Sequence, residues 1–137
     1  FIFLPSFQSL QSKNKFVEDD WIDFNDIIIS SLIEENFTVF VDITADWCAT
    51  CQFNKYNVIN SSEVKNNFKN KKVIKIRGDW TKPNKKIENF LNNNNRFGIP
   101  FNIIYSKFYK EGIILPEILT VKEVLKTIEI VEDNNNN

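Results

Sequence analysis

Apolar residues recur along this chain in two patterns, one typical of helices and one typical of strands. Spacings of three and four within a segment indicate a helix with one buried face. Three segments have it: 23–36, 84–95 and 120–131. Two more helices are predicted, one at 51–59 that continues from the cysteine segment and a short capped one at 61–68. Runs rich in β-branched and aromatic residues predict buried strands instead. These runs are 37–44, 72–80 and 101–106, with a short fourth strand in 111–116.

The order of these elements predicts the fold class. Strands that alternate with helices, followed by two strands and a last helix, indicate an α/β fold with a central mixed β-sheet flanked by helices. The length of 137 residues fits one domain, and 42% hydrophobic residues suffice for a core. We expect the domain to span 18–131. Segment 1–17 is predicted to be a linker or the cut end of a preceding membrane region, and 132–137 a disordered Asn-rich tail.

Charge and composition exclude several functions. A net charge of −1 gives no general attraction to nucleic acid or anionic lipid. No apolar run reaches the ~18 residues that a membrane-spanning helix needs. The chain has no histidine, which removes Cys-His and Ser-His-Asp catalysis. It also has no methionine, even at position 1, so we expect it to be cut from a longer precursor.

The chemistry points to the segment ADWCATCQF, residues 45–53, which holds both cysteines of the chain. A strand runs directly into Cys48, which would begin a helix, and Cys51 follows one turn later. Residues three apart share a helix face, so the two sulfurs can reach disulfide distance. Free N–H groups at a helix start stabilise a thiolate, which predicts Cys48 as the nucleophile. Cys51 is then placed to resolve a mixed disulfide.

Other uses of the two cysteines stay open. A structural zinc site needs two further ligands, usually Cys or His, and the sequence has none left. A two-thiolate copper(I) site is chemically possible, since soft ligands suit that ion. A purely structural disulfide would close a very small loop, which stabilises least in the chain-entropy description.

The same segment resembles a known family. FVDITADWCATC, residues 40–51, is similar to the strand and active site of the thioredoxin superfamily. ADWC followed by two residues and a second cysteine resembles the C-terminal periplasmic domain of the DsbD family of thiol:disulfide interchange proteins. GDWTK (78–82), RFGIPFNIIY (96–105) and LPEILT (115–120) resemble that family and its copper-tolerance relatives. The resemblance covers about residues 20–130 and implies a thioredoxin-like fold.

The resemblance also implies catalytic residues. Cys48 matches the nucleophile and Cys51 the resolving cysteine. Asp42, six residues before Cys48, matches a buried acid that handles the proton of the second cysteine. A carboxylate buried beside a thiol should have a raised pKa and can act as a base.

Three further residues match the substrate-binding part of the family pattern. Pro100 matches a cis-proline that faces the disulfide, and Ile99 matches the residue whose backbone pairs with a substrate chain. Trp47 matches the aromatic residue that flanks the cysteines. There is one departure: family members often carry an acid about one turn after the second cysteine, where this chain has Asn54 and Lys55.

The expected function is protein dithiol–disulfide exchange, catalysed by a protein-disulfide reductase that needs no cofactor and no metal because the cysteines carry the electrons. The resemblance implies two kinds of partner: a membrane electron-transfer domain of the same precursor and periplasmic thiol or disulfide proteins. It places the chain on the periplasmic side of the bacterial inner membrane. The alternatives are a free-standing thioredoxin-like protein and a copper(I)-binding module.

Overall fold

Residues 20–133 fold into a five-stranded sheet with helices on both faces. The computed structural model describes residues 20–133, so the predicted linker at 1–17 and the last four asparagines lie outside the described residues. The strands are β1 (Trp21–Asp23), β2 (Val39–Thr44), β3 (Ile74–Asp79), β4 (Phe101–Tyr105) and β5 (Ile113–Ile114). The helices are α1 (Asp26–Glu34), α2 (Ala49–Asn54), α3 (Ser62–Asn70), α4 (Lys85–Asn93) and α5 (Val121–Glu132). A π-helical segment, Lys55–Ile59, continues α2.

The sheet is mixed, as the order of predicted elements indicated. Its strand order is β1-β3-β2-β4-β5. Strands β1 and β2 run parallel to β3, whereas β4 runs antiparallel to β2 and to β5. β2 lies in the middle and is buried at every position. The predicted thioredoxin-like fold is therefore confirmed.

Side chains alternate between the two faces of the sheet, and each face has its own helices. Val41 and Ile43 of β2 pack in a core with residues of α1 and α4. Phe40 packs in a second core with residues of α3, α5 and the π-helical segment. Asp42 belongs by alternation to the Phe40 face. The polar side chain therefore points to the side of the sheet on which the helix that follows the cysteines is packed.

The structure adds a strand before the first predicted helix. Trp21–Asp23 forms an edge strand, which the apolar pattern did not indicate because three residues are too short to show a period. The predicted helix at 23–36 is accordingly shorter. The Asn25 side chain accepts hydrogen bonds from the backbone N–H groups of Ile27 and Ile28, so α1 begins after Asn25.

The last helix begins where the sequence predicted and ends one residue later. The Thr120 hydroxyl accepts from the backbone N–H of Glu123 and caps α5. Helix α5 continues to Glu132, a residue that the sequence predicts to belong to the tail. The Glu132 carboxylate accepts a hydrogen bond from Thr38 and lies 3.5 Å from the Lys71 ammonium. Within residues 20–133, no helix has the length and apolar character to cross a membrane.

Candidate active site

The ends of two parallel strands bring the candidate residues together. Thr44, the last residue of β2, pairs in register with Asp79, the last residue of β3. The backbone N–H of Trp80 donates to the Thr44 carbonyl oxygen at 2.7 Å. The segments that leave the two strands therefore start side by side. One carries the cysteines and the other carries Thr81.

Cys48 and Cys51 form a disulfide at the start of α2, with their Cα atoms 5.2 Å apart. Cys48 is the N-cap residue, and its sulfur accepts the backbone N–H of Cys51 at 3.1 Å. Cys48 is 7% exposed and Cys51 is 3% exposed. After reduction, the same N–H group would stabilise a thiolate on Cys48, because charge-assisted hydrogen bonds to a helix start favour the anion. The structure thus places Cys48 where the sequence predicted the nucleophile.

Asp42 is a buried carboxylate held by residues of two neighbouring strands. It is 4% exposed. Arg77 of β3 donates its Nε–H to Asp42 Oδ2 at 3.1 Å, and Asn102 of β4 donates from Nδ2 to Oδ1 at 2.8 Å. Burial raises the pKa of Asp42 above its ordinary value, while the charge of Arg77, both hydrogen bonds and the charge of Lys55 act to lower it. Burial is the largest of these influences, so the net effect is a carboxyl group with increased proton affinity.

Arg77 and Asn102 are site residues that the sequence analysis missed. The Arg77 guanidinium lies between Asp42 and the Trp21 ring, whose centroid is 3.7 Å from Cζ. Asn102 is buried in the middle of the apolar strand β4. A polar residue inside an otherwise buried strand was the available signal for Asn102. Nothing local identified Arg77, because its contact with Asp42 depends on the pairing of β2 with β3.

The loop before β4 lies against the disulfide. The Ile99–Pro100 peptide bond is cis, as the family resemblance implies. Ile99 is partly buried and packs against the small cluster of Ala45, Cys48 and Cys51. Pro100 is buried and directly precedes β4. The roles of Ile99 and Pro100 in substrate binding remain predictions.

Trp47 is exposed beside the nucleophile but is held in place. Its side chain is 63% exposed. The indole Nε1–H donates to the backbone carbonyl oxygen of Thr81 at 3.1 Å. Thr81 belongs to the GDWTK segment, and it is hydrogen-bonded to the active-site loop.

The two residues at which the family pattern departs have separate roles in the structure. Asn54 is 2% exposed; its Nδ2 donates to the Glu117 carbonyl oxygen at 2.7 Å, and its Oδ1 accepts from Leu119 N–H at 2.9 Å. It therefore joins the cysteine helix to the segment before α5. Lys55 is half-buried, and its charge favours the ionised form of both Asp42 and Asp79.

The described part of the chain offers few ligands for a metal. Within residues 20–133, no group of three or more His, Cys, Asp and Glu side chains converges on one point. The two sulfurs are bonded to each other, so metal binding through both thiolates would first require reduction.

Comparison with known proteins agrees with this geometry. The model of a family described as thioredoxin-like matches residues 20–107, more than half of the chain. Among solved structures, the oxidised C-terminal domain of Neisseria meningitidis DsbD aligns with a TM-score of 0.62 and 18% identity, over 77% of this chain and 91% of that one. Its reduced form aligns with a TM-score of 0.62 and 17% identity, over 80% and 99%. A thioredoxin from Thermus thermophilus aligns with a TM-score of 0.61 and 13% identity, over 80% and 83%.

The search of curated proteins gave no match. The fold and the disulfide are nevertheless sufficient for a coarse assignment. A Cys-x-x-Cys pair at the N-terminus of a helix on this fold supports a dithiol–disulfide oxidoreductase. With the family model matched over most of the described residues, the chain belongs to the thioredoxin-like family and resembles the C-terminal domain of DsbD.

Proposed function

We propose that this chain is the C-terminal module of a membrane-linked protein-disulfide reductase. It takes electrons from a membrane domain of the same precursor and passes them to thiol or disulfide proteins on the periplasmic side of the bacterial inner membrane. The observation that carries the chemistry is the Cys48–Cys51 disulfide at the start of α2. The subfamily is supported by the ADWC segment and by the structural likeness to the C-terminal domain of DsbD.

The proposed reaction needs only the disulfide of the partner protein as a second reactant. The Cys48 thiolate attacks one sulfur of the partner disulfide, that S–S bond breaks, and the second partner sulfur leaves as a thiolate. Cys51 then loses its proton, attacks the Cys48 sulfur and releases the first partner sulfur. Two electrons pass from the cysteine pair to the partner, which becomes a dithiol while the Cys48–Cys51 disulfide forms.

Asp42 is the base that we propose for the second step. Asp42 lies on the Phe40 face of β2. Because burial raises the pKa of Asp42, its proton affinity is closer to that of a thiol than the proton affinity of an ordinary carboxylate is. Asn102 and Arg77 fix the carboxylate from both sides. Its role is therefore to accept the Cys51 proton when the mixed disulfide is resolved.

The reduction potential of the cysteine pair tests the proposal. Metal-free protein is equilibrated with a series of dithiothreitol or glutathione mixtures, and the oxidised fraction is measured. We expect a potential near or below that of thioredoxin, roughly −270 mV, as a reductant requires. A value near that of a strong oxidant, about −120 mV, would contradict the reductase direction and indicate disulfide formation instead.

A Cys51→Ser variant is the matched control. It keeps the nucleophile and its helix start but cannot form the intramolecular disulfide, so the two-electron transition must disappear. Wild-type protein that never forms the disulfide would favour the copper(I)-binding alternative.

A further inference from the structure

Thr81 makes four hydrogen bonds, two with the active-site loop and two with Asp79. Its hydroxyl oxygen accepts the backbone N–H of Asp46 at 2.9 Å, and its carbonyl oxygen accepts the Trp47 indole N–H at 3.1 Å. Its own backbone N–H donates to Asp79 Oδ1 at 2.9 Å, and its hydroxyl donates to the same oxygen. One residue thus connects a carboxylate to the two residues directly before Cys48.

The directions of these hydrogen bonds are fixed by chemistry. A threonine hydroxyl has one proton, which Thr81 gives to Asp79, so only its lone pairs face the Asp46 N–H. Hydrogen bonds from Thr81 lower the pKa of Asp79, because they stabilise its ionised form, which only accepts hydrogen bonds. The carboxylate therefore orients the hydroxyl, and the hydroxyl holds the backbone of the active-site loop.

We propose that Asp79 and Thr81 are positioning residues that hold Trp47 in a fixed orientation for contact with a protein partner. This inference rests on the proposed function, because it assumes disulfide exchange at Cys48. An aromatic side chain that is exposed yet already ordered provides contact area with little further loss of conformational entropy on binding. A protein disulfide brings a surface large enough to use Trp47, whereas a small disulfide does not.

The test compares the rates at which the reduced protein reacts with two different disulfide substrates. Insulin serves as the protein disulfide and oxidised glutathione as the small one, and kcat/KM is measured for each. Thr81→Val removes the hydroxyl that is bonded to Asp46 and Asp79 but keeps the backbone carbonyl that is bonded to Trp47. We expect it to lower the ratio of the insulin value to the glutathione value about 5-fold. The change should lie mainly in KM for insulin, because positioning acts on binding rather than on sulfur chemistry.

A double-mutant cycle identifies Trp47 as the route of the effect. Trp47→Phe keeps an aromatic ring and removes the N–H that Thr81 accepts. If Thr81 acts through Trp47, Thr81→Val should change the substrate ratio by less than about 2-fold in the Trp47→Phe background. Thr120→Val is the matched control: it removes a helix-capping hydroxyl of α5 and should leave the ratio unchanged.

Three outcomes would overturn the inference. An equal decrease of kcat/KM for insulin and for oxidised glutathione in Thr81→Val would show that Thr81 has a general structural role. Full additivity with Trp47→Phe would show that Thr81 does not act through the indole. Wild-type protein that exchanges with neither disulfide would overturn the proposed function and this inference with it, whereas the first two outcomes leave the proposed function intact.

Discussion

At the scale of single residues, Asp42 combines an ionisable group with almost complete burial. The Arg77 guanidinium and the Asn102 amide satisfy its two oxygens, yet the loss of water dominates and raises the pKa of Asp42. An acid whose pKa is raised by folding stabilises the protein fully below the pKa of the unfolded chain. That stabilisation is lost as the pH rises through the folded-state value. Asp42 is thus a group that makes the fold less stable at neutral pH than in mild acid.

The Asp42→Asn variant tests this reasoning. It keeps the size of the side chain and removes the titration. The free energy of unfolding of the variant, taken relative to that of the wild type, should therefore rise as the pH increases above about 4, the ordinary carboxyl pKa. Urea unfolding of both proteins between acidic and neutral pH measures the gap. A gap that stays constant or shrinks with rising pH would contradict the assignment.

Asp23→Asn is a suitable control for that series. Asp23 is exposed on the edge strand β1, where a substitution should change the free energy of unfolding by no more than about 0.5 kcal/mol.

The Asp42→Asn protein should also resolve mixed disulfides more slowly at neutral pH, because a neutral amide cannot accept the Cys51 proton.

At the scale of elements, the cysteine helix is held at two ends. Its N-terminal side follows β2 without a long loop, and the Gln52 amide donates to the Ala45 carbonyl oxygen at 3.0 Å. Farther along, Asn54 satisfies both a donor and an acceptor of the segment before α5. The helix then changes to the π-helical segment Lys55–Ile59, in which Val58 and Ile59 pack in the core that contains Phe40. These contacts orient the Cys48–Cys51 pair relative to the sheet.

Asn54→Ala should therefore loosen the helix from the rest of the domain. The substitution leaves the Leu119 N–H and the Glu117 carbonyl oxygen without their partner. We expect a loss of about 1–3 kcal/mol in the free energy of unfolding, the usual cost of one unsatisfied buried group, because Leu119 is buried whereas Glu117 is exposed. Denaturant unfolding measures it.

Asn57→Ala is the matched control for Asn54→Ala. Asn57 is exposed on the π-helical segment and donates only to the Phe53 carbonyl oxygen at 3.0 Å. Its removal should cost less than about 0.5 kcal/mol. Equal losses for the two asparagines would rule out a special anchoring role for Asn54.

At the scale of the whole molecule, the site is built on a scaffold with two separate cores. Phe40 is fully buried, and its ring centroid lies 5.1 Å from that of Phe68 and 6.1 Å from that of Trp21. The cysteines belong to a different, small cluster with Ala45. The core around Phe40 is therefore separate from the apolar cluster that contains the cysteines.

Phe40→Ala should destabilise the protein by about 3–5 kcal/mol, as is usual when a large buried aromatic side chain is removed. Because Phe40 is not in the cysteine cluster, the loss should be similar in the oxidised and the reduced protein. Unfolding in denaturant, with and without excess reductant, measures both values. A loss confined to one redox state would show that the core and the site are coupled.

The resemblance at residues 40–51 and the apolar pattern predicted much of this molecule. The apolar spacings identified α1, α4 and α5, the cysteine segment indicated α2, and the capping pattern indicated α3. The β-branched runs identified β2, β3, β4 and β5. The apolar pattern did not predict β1, which has only three residues. This segment is a strand because β3 supplies its hydrogen-bonding partners. A local pattern cannot show such an element.

What the sequence by itself determined are the features that depend on neighbours along the chain: the helix and strand periods, the Cys48–Cys51 spacing and the capping of α5 by Thr120. Only the tertiary structure decided that Arg77 and Asn102 enclose Asp42 and that Thr81 holds Trp47. Those contacts join residues that are 34 to 60 positions apart. They arise because parallel and antiparallel pairing places particular residues of β2, β3 and β4 opposite one another. Strand order and register are set by packing of the whole sheet, so no short segment contains that information.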